Sequence, residues 1–158
     1  TDQVLVGPSR GGGEFSVTNK VRDIEFDGRR GKTKGMQVIE DQEASLKLTT
    51  LDCSQTSLAR GIPGAVVTTV SEVTTITNAD ENGLIPTTSY LKNATLFAKL
   101  LDGTYKKITI FNPMHEGSFL FKAVQKAENE HALELFAHFD PTDNTDKLWE
   151  IEDAATIA

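Results

Sequence analysis

Residues 11–54 read GGGEFSVTNKVRDIEFDGRRGKTKGMQVIEDQEASLKLTTLDCS, and the alternation inside this stretch decides the fold class. Phe15 and Val17 alternate with Glu14 and Ser16, and Ile24 and Phe26 with Asp23 and Glu25. Further on, Ala44, Leu46 and Leu48 alternate with Glu43, Ser45 and Lys47. A period of two belongs to strands with one face on a core and the other in a polar setting. The three segments are therefore expected to be strands that bury Phe15, Val17, Ile24, Phe26, Ala44, Leu46 and Leu48. Between the second and third, Asp27 to Gly35 holds Gly28, Gly31 and Gly35 together with Arg29, Arg30, Lys32 and Lys34. That segment is too long and too charged for a tight turn, and it reads as a loop that reaches a neighbour.

The remaining chain continues the pattern. Ser54 to Arg60 predicts a short helix, capped by Asp52 or Ser54 and stopped by Gly61 and Pro63. Val, Ile and Thr crowd residues 65–78, which predicts strand. A loop follows over 79–88, with Asn82-Gly83 as its turn and Pro86 as a breaker. Ala94 to Leu101 and Thr104 to Phe111 flank Asp102-Gly103 and predict a hairpin with a two-residue turn, ended by Asn112-Pro113. Ser118 to Lys126 and His131 to Phe139 predict a further antiparallel pair around Ala127 to Glu130, although the Ala, Lys, Glu and Leu content of 118–137 leaves a helix there as the alternative. Leu148 to Ile151 is a last short strand or docking segment. About eight strands and one short helix describe a mainly β chain, an antiparallel β-sandwich or barrel with one flanking α-helix.

The chain of 158 residues is long enough for a sizeable core and is expected to be a single domain, with 1–10 a flexible arm, 27–35 an extended loop and 140–158 a docking segment. Its net charge of -7 is unevenly spread. Residues 28–34 carry four basic side chains and no acid, whereas 127–158 carry nine acids against Lys147 alone. Opposite charges at separate places on one chain suit head-to-tail contact between copies. There is no apolar run of membrane-spanning length and no basic-then-apolar start, so neither membrane insertion nor secretion is expected. Cys53 is the single cysteine, which rules out an intrachain disulfide and fits folding in a reducing compartment.

No arrangement of residues points to catalysis, a metal or a cofactor. Gly31-Lys32-Thr33 is half of a phosphate-binding loop, but the glycine required five positions earlier is Phe26, and a strand-like alternation follows where a helix is needed. His131 and His138 lie seven apart on one expected strand and so point to opposite faces, away from any shared metal. Cys53 lacks the flanking signature of a nucleophile. The chain has neither a basic helix nor an aromatic strand platform for nucleic acid.

Arg22-Asp23-Ile24-Glu25, Asp27-Gly28, Arg30-Gly31 and Lys34-Gly35, set after GGGEFSV, resemble the major tail tube proteins of long, flexible-tailed bacteriophages. A looser, collinear likeness runs through 52–64, 90–111, FAHFDP at 136–141 and LWEI at 148–151. The resemblance implies β-sandwich subunits that close into hexameric rings, with inner sheets joined into one barrel. Stacked rings would surround a tape measure protein, meet tail terminator and tail tip proteins at the ends, and later pass double-stranded DNA without binding it specifically. It further implies a virion component assembled in the host cytoplasm. An acidic chain suits a conduit that must not hold phosphate. On this reading Glu14, Ser16, Asp23, Glu25, Glu43, Ser45 and Lys47 line the lumen. Gly28, Arg29, Arg30, Gly31, Lys32, Lys34 and Gly35 form an inter-subunit loop. The alternatives are a tube protein of a contractile tail or injection machine, and a ligand-binding β-sandwich adhesin.

Overall fold

The computed structural model describes residues 8–28, 31–78, 83–123, 125, 127–143 and 147–154. Two long strands dominate it, β1 (Ser9–Asp23) and β2 (Gln37–Thr50), paired antiparallel. The helix α1 (Gln55–Arg60) follows, then β3 (Val66–Val70), β4 (Val73–Thr77) and a single 3₁₀ turn at Thr87–Ser89. Next come β5 (Asn93–Lys99), β6 (Tyr105–Phe111), β7 (Met114–His115), β8 (Phe121–Lys122), β9 (Glu130–Phe136) and β10 (Trp149–Ala154).

The architecture is mainly β and antiparallel, with one short helix. One sheet runs β1-β2-β9-β7, with β8 also on β9, and a second runs β10-β6-β5. The first sheet's register puts Phe15 opposite Leu46, and Leu46 opposite Leu135, so the apolar phase of three strands falls on one face. The second sheet presents Trp149, Ile110 and Ala94 in one row. Between them Leu46, Ile110 and Leu135 form the buried centre, and Phe15, Leu48, Ala94, Leu96, Ala137 and Trp149 pack around it. Full burial of each large aliphatic side chain contributes about 1.5–3 kcal/mol, so this inter-sheet layer is the main source of stability.

Local chemistry fixes the connections. Ser54 Oγ accepts the backbone N–H of Ser57 at 3.3 Å and caps α1, while Asp52 Oδ1 accepts the Ser54 N–H at 3.0 Å. At the other end the Gly61 N–H reaches the Leu58 carbonyl at 3.0 Å and closes the helix. The expected strand over 65–78 is a hairpin, β3 and β4, whose turn holds Ser71 and Glu72 at φ 49° and 66°. The β5–β6 turn is longer than two residues: Leu100 N–H bonds the Thr104 carbonyl, and Gly103 takes φ 87°. Asp102 Oδ1 locks it by accepting both the backbone N–H and the hydroxyl of Thr104. Positive φ at the third loop position requires a residue without Cβ strain, which Gly103 supplies.

Further expectations change. The segment Asp23 to Phe26 is not a separate strand, because β1 runs unbroken to Asp23 and Ile24–Phe26 leave its end. Of the strand expected over 118–126 only Phe121–Lys122 pairs, while the alternative helix in 118–137 gives way to β9. The last strand extends to Ala154, and β7 was not foreseen. The Asn82 half of the 82–83 turn, and most of the arm expected over 1–10, lie outside the described residues.

Candidate assembly surface

β9 pairs with β2 only from Ser45 to Thr50. Among the described residues, the part of the β1–β2 hairpin beyond that overlap has no further strand beside it. From Thr18 to Glu43 every described residue is exposed except Gln42 and Thr33, which are half-buried. The result is a two-stranded arm carrying the Ile24–Met36 loop at its tip, held at the base of the tip by the Ile24 N–H to Met36 carbonyl bond of 2.8 Å.

Polar contacts run along the arm. Glu40 receives Arg22 at 2.7 Å and Lys20 at 3.5 Å, Gln37 donates to Asp23 at 2.7 Å, and Gln42 donates to Asn19 at 2.8 Å. Yet the arm also exposes Val21, Ile24, Phe26, Met36, Val38 and Ile39, each between 38% and 56%. Ile24 and Phe26 at 41% each therefore correct the expectation that they are buried. They lie beyond the paired strand, where no second sheet covers them.

A bulge decides which apolar groups fall on which face of the arm. Lys20 pairs with Asp41 and Val21 with Ile39, which leaves Glu40 as an extra residue on β2. Its insertion shifts β2 by one position, so Gln37 and Ile39 join the face that carries Ala44 and Leu46 nearer the core. Val38, opposite Arg22, then lies on the other face.

The expected lumen residues divide accordingly. Glu14 opposite Lys47 and Ser16 opposite Ser45 share one face with Thr18 opposite Glu43. Lys47 Nζ binds Glu134 of β9 at 2.6 Å, and this hydrogen bond is the first cause that raises the Lys47 pKa above its ordinary value. Ser45 is on that face but only 4% exposed, covered where its Oγ meets Ser16 Oγ at 2.8 Å. Asp23 departs from the set: from Gly13 onward β1 alternates without a break, which puts Asp23 on the side of Phe15 and Val17. Glu25 lies past the strand end, exposed. Glu134 belongs to this polar face, opposite Lys47, and was missed although its segment was expected to be strand, because the sequence does not say which strand lies beside β2.

In the loop, Gly28, Gly31 and Gly35 all take positive φ, at 94°, 96° and 84°, with open space around each. Lys32 and Lys34 are exposed, whereas Arg29 and Arg30 lie outside the described residues. A shallow cleft of about 410 Å³ separates Asp23–Asp27 from Gly31–Thr33. Among the described residues no group of three or more His, Cys, Asp or Glu is placed to hold a metal ion. His138, past the end of β9, binds Glu116 at 2.6 Å, and His131 is buried elsewhere. No helix among the described residues is long and apolar enough to cross a membrane. No family model matches this chain, and no curated protein matches it.

Proposed function

We propose that this chain is a structural subunit of a bacteriophage tail tube, closing into hexameric rings that stack around a tape measure protein and later conduct the genome. The observation that carries the reading is the β1–β2 arm, which exposes apolar side chains on both faces beyond the sandwich. A lone two-stranded hairpin is marginal in water, so such an arm gains most of its order by covering those side chains against another molecule. A further copy is the partner that an assembling subunit supplies.

Two more features support it. β1, β5 and β10 are outer strands of their sheets among the described residues, and an open edge is either a hazard or a joint. The arm carries Lys32 and Lys34 to its tip, within a basic run of sequence that also holds Arg29 and Arg30, while the acids concentrate in 127–158. A contact between two different surfaces repeats without closing and builds a filament. The polar face of Glu14, Thr18, Glu43, Lys47 and Glu134 mixes charges of both signs, which leaves no contiguous cationic track to hold DNA phosphates. Mass spectrometry of tails separated from heads of the parent particle tests the proposal. Recovery of this polypeptide as the main tail species is expected, and its confinement to the capsid shell would contradict it.

A further inference from the structure

Two histidines lie sealed at the joints where other segments are laid over β9. His131 of β9 is 1% exposed and His115 of β7 is 2% exposed. His115 Nδ1 accepts the backbone N–H of Glu134 at 3.0 Å. The ring proton of the neutral form therefore sits on Nε2, which is buried and meets no partner. His131 Nε2 stands 3.5 Å from Ser57 Oγ of α1, its Nδ1 is likewise buried without a partner, and the Phe119 ring lies 6.1 Å away. Through these side chains β7 and α1 are each joined to β9.

Burial is the first cause that holds both rings below the ordinary histidine value. Backbone groups of Glu134 and Gly117 at His115 and of Ser57 at His131, together with the charged groups nearby, oppose it only in part. Asp52, ahead of α1, favours a charged His131, and His115 disfavours it. Glu134 favours a charged His115, but its carboxylate is engaged by Lys47 at 2.6 Å. Glu116, next to His115, is taken up by His138.

We propose that His115 and His131 form an acid-sensitive latch, which fastens β7 and α1 to β9 while the rings are neutral and lets them open once protonated. The geometry gives the reason. A proton added to His115 Nδ1 faces the Glu134 N–H, so one of the bonds that join β7 to β9, beside the short backbone ladder, is replaced by two opposed donors. A charge on His131 sits between Ser57 and Phe119 with its Nδ1–H unpaired, and only opening brings water to it. Each ring binds its proton more weakly folded than unfolded. Stability is therefore intact above about pH 6.5 and falls as the pH drops toward the lowered folded values. The β1–β2 and β5–β6–β10 pairings involve neither ring, so the opening is local.

The test is nuclear magnetic resonance on the full chain, following both histidine rings and amide protection factors from pH 7.5 to 5. Both rings are expected to titrate below about 6.5, and protection at Glu134, Leu58 and Gly61 to fall at least about tenfold while Ala44 and Leu46 keep theirs. The variant H115Q/H131Q, if it folds, should lose this pH dependence; if it does not fold, the wild-type titration decides. Rings titrating at or above the ordinary value, constant protection across the range, or equal loss at Ala44 and Leu46 would each overturn the latch.

Discussion

Phe15 of β1 meets Trp149 of β10 edge to face, with ring centroids 6.0 Å apart and planes inclined at 61°. The contact joins an outer strand of one sheet to an outer strand of the other, so β1 and β10 stack along the same side of the sandwich. It also anchors the final described strand, which is paired with β6 alone among the described strands. Replacing Trp149 by Ala should lower the unfolding free energy by about 2–3 kcal/mol, less than full aromatic burial because both rings are only half-buried. Since Trp149 is the single tryptophan, its fluorescence follows unfolding of the wild type, and circular dichroism serves for the variant. A loss under about 0.5 kcal/mol would show that β10 is held by its ladder alone.

Gly61 and Gly103 separate steric from conformational cost. A Cβ on Gly61 would stand 2.8 Å from Phe119 Cδ2, at an ordinary backbone φ of -82°. Gly103 has open space around it but a φ of 87°. Gly61→Ala should cost about 1–3 kcal/mol through displacement of Phe119, and Gly103→Ala about 1–2 kcal/mol through the left-handed backbone. Chemical denaturation of both variants gives the comparison. The coupling between Gly61 and Phe119 is checked by the double variant with Phe119→Leu, which should recover part of the Gly61→Ala loss and none of the Gly103→Ala loss.

On the arm, Val21, Val38 and Ile39 are 51%, 41% and 56% exposed and contribute little to the monomer. Changing all three to Thr keeps strand propensity and removes apolar surface. Monomer stability should change by under about 0.5 kcal/mol per site, with assembly strongly reduced. Thermal unfolding beside sedimentation of concentrated protein measures the two effects. Unchanged assembly would mean that the arm is not where copies meet.

The sandwich was legible where a strand has one face on the core. Phe15, Leu46 and Leu48 keep strict alternation because a one-residue slip would put them in water, and the structure packs all three between the sheets. The helix was legible from Ser54 and Gly61, whose roles are local. Legibility failed on the arm, where neither face is committed to the core. There Ile24 and Phe26 alternate as if buried, yet they stand at the tip, and Glu40 resets the phase without any compositional signal. Asp23 was misplaced for the same reason. β7 and β8, two residues each, are too short for any period to register, and they exist because β9 offers them an edge.

The loop at the arm's tip supplies the central test. One exposed ion pair contributes about 0–1 kcal/mol, so charge can govern assembly only when several pairs repeat around a ring. The deciding measurement is negative-stain electron microscopy of the concentrated, purified chain, beside a variant with Arg29, Arg30, Lys32 and Lys34 all changed to Glu and with circular dichroism of both. Rings or tubes from the wild type, and a folded variant that forms none or only unstacked rings, are the predicted result. Monodisperse monomers from the wild type at every concentration and ionic strength tried, or normal tubes from the folded variant, would contradict the account.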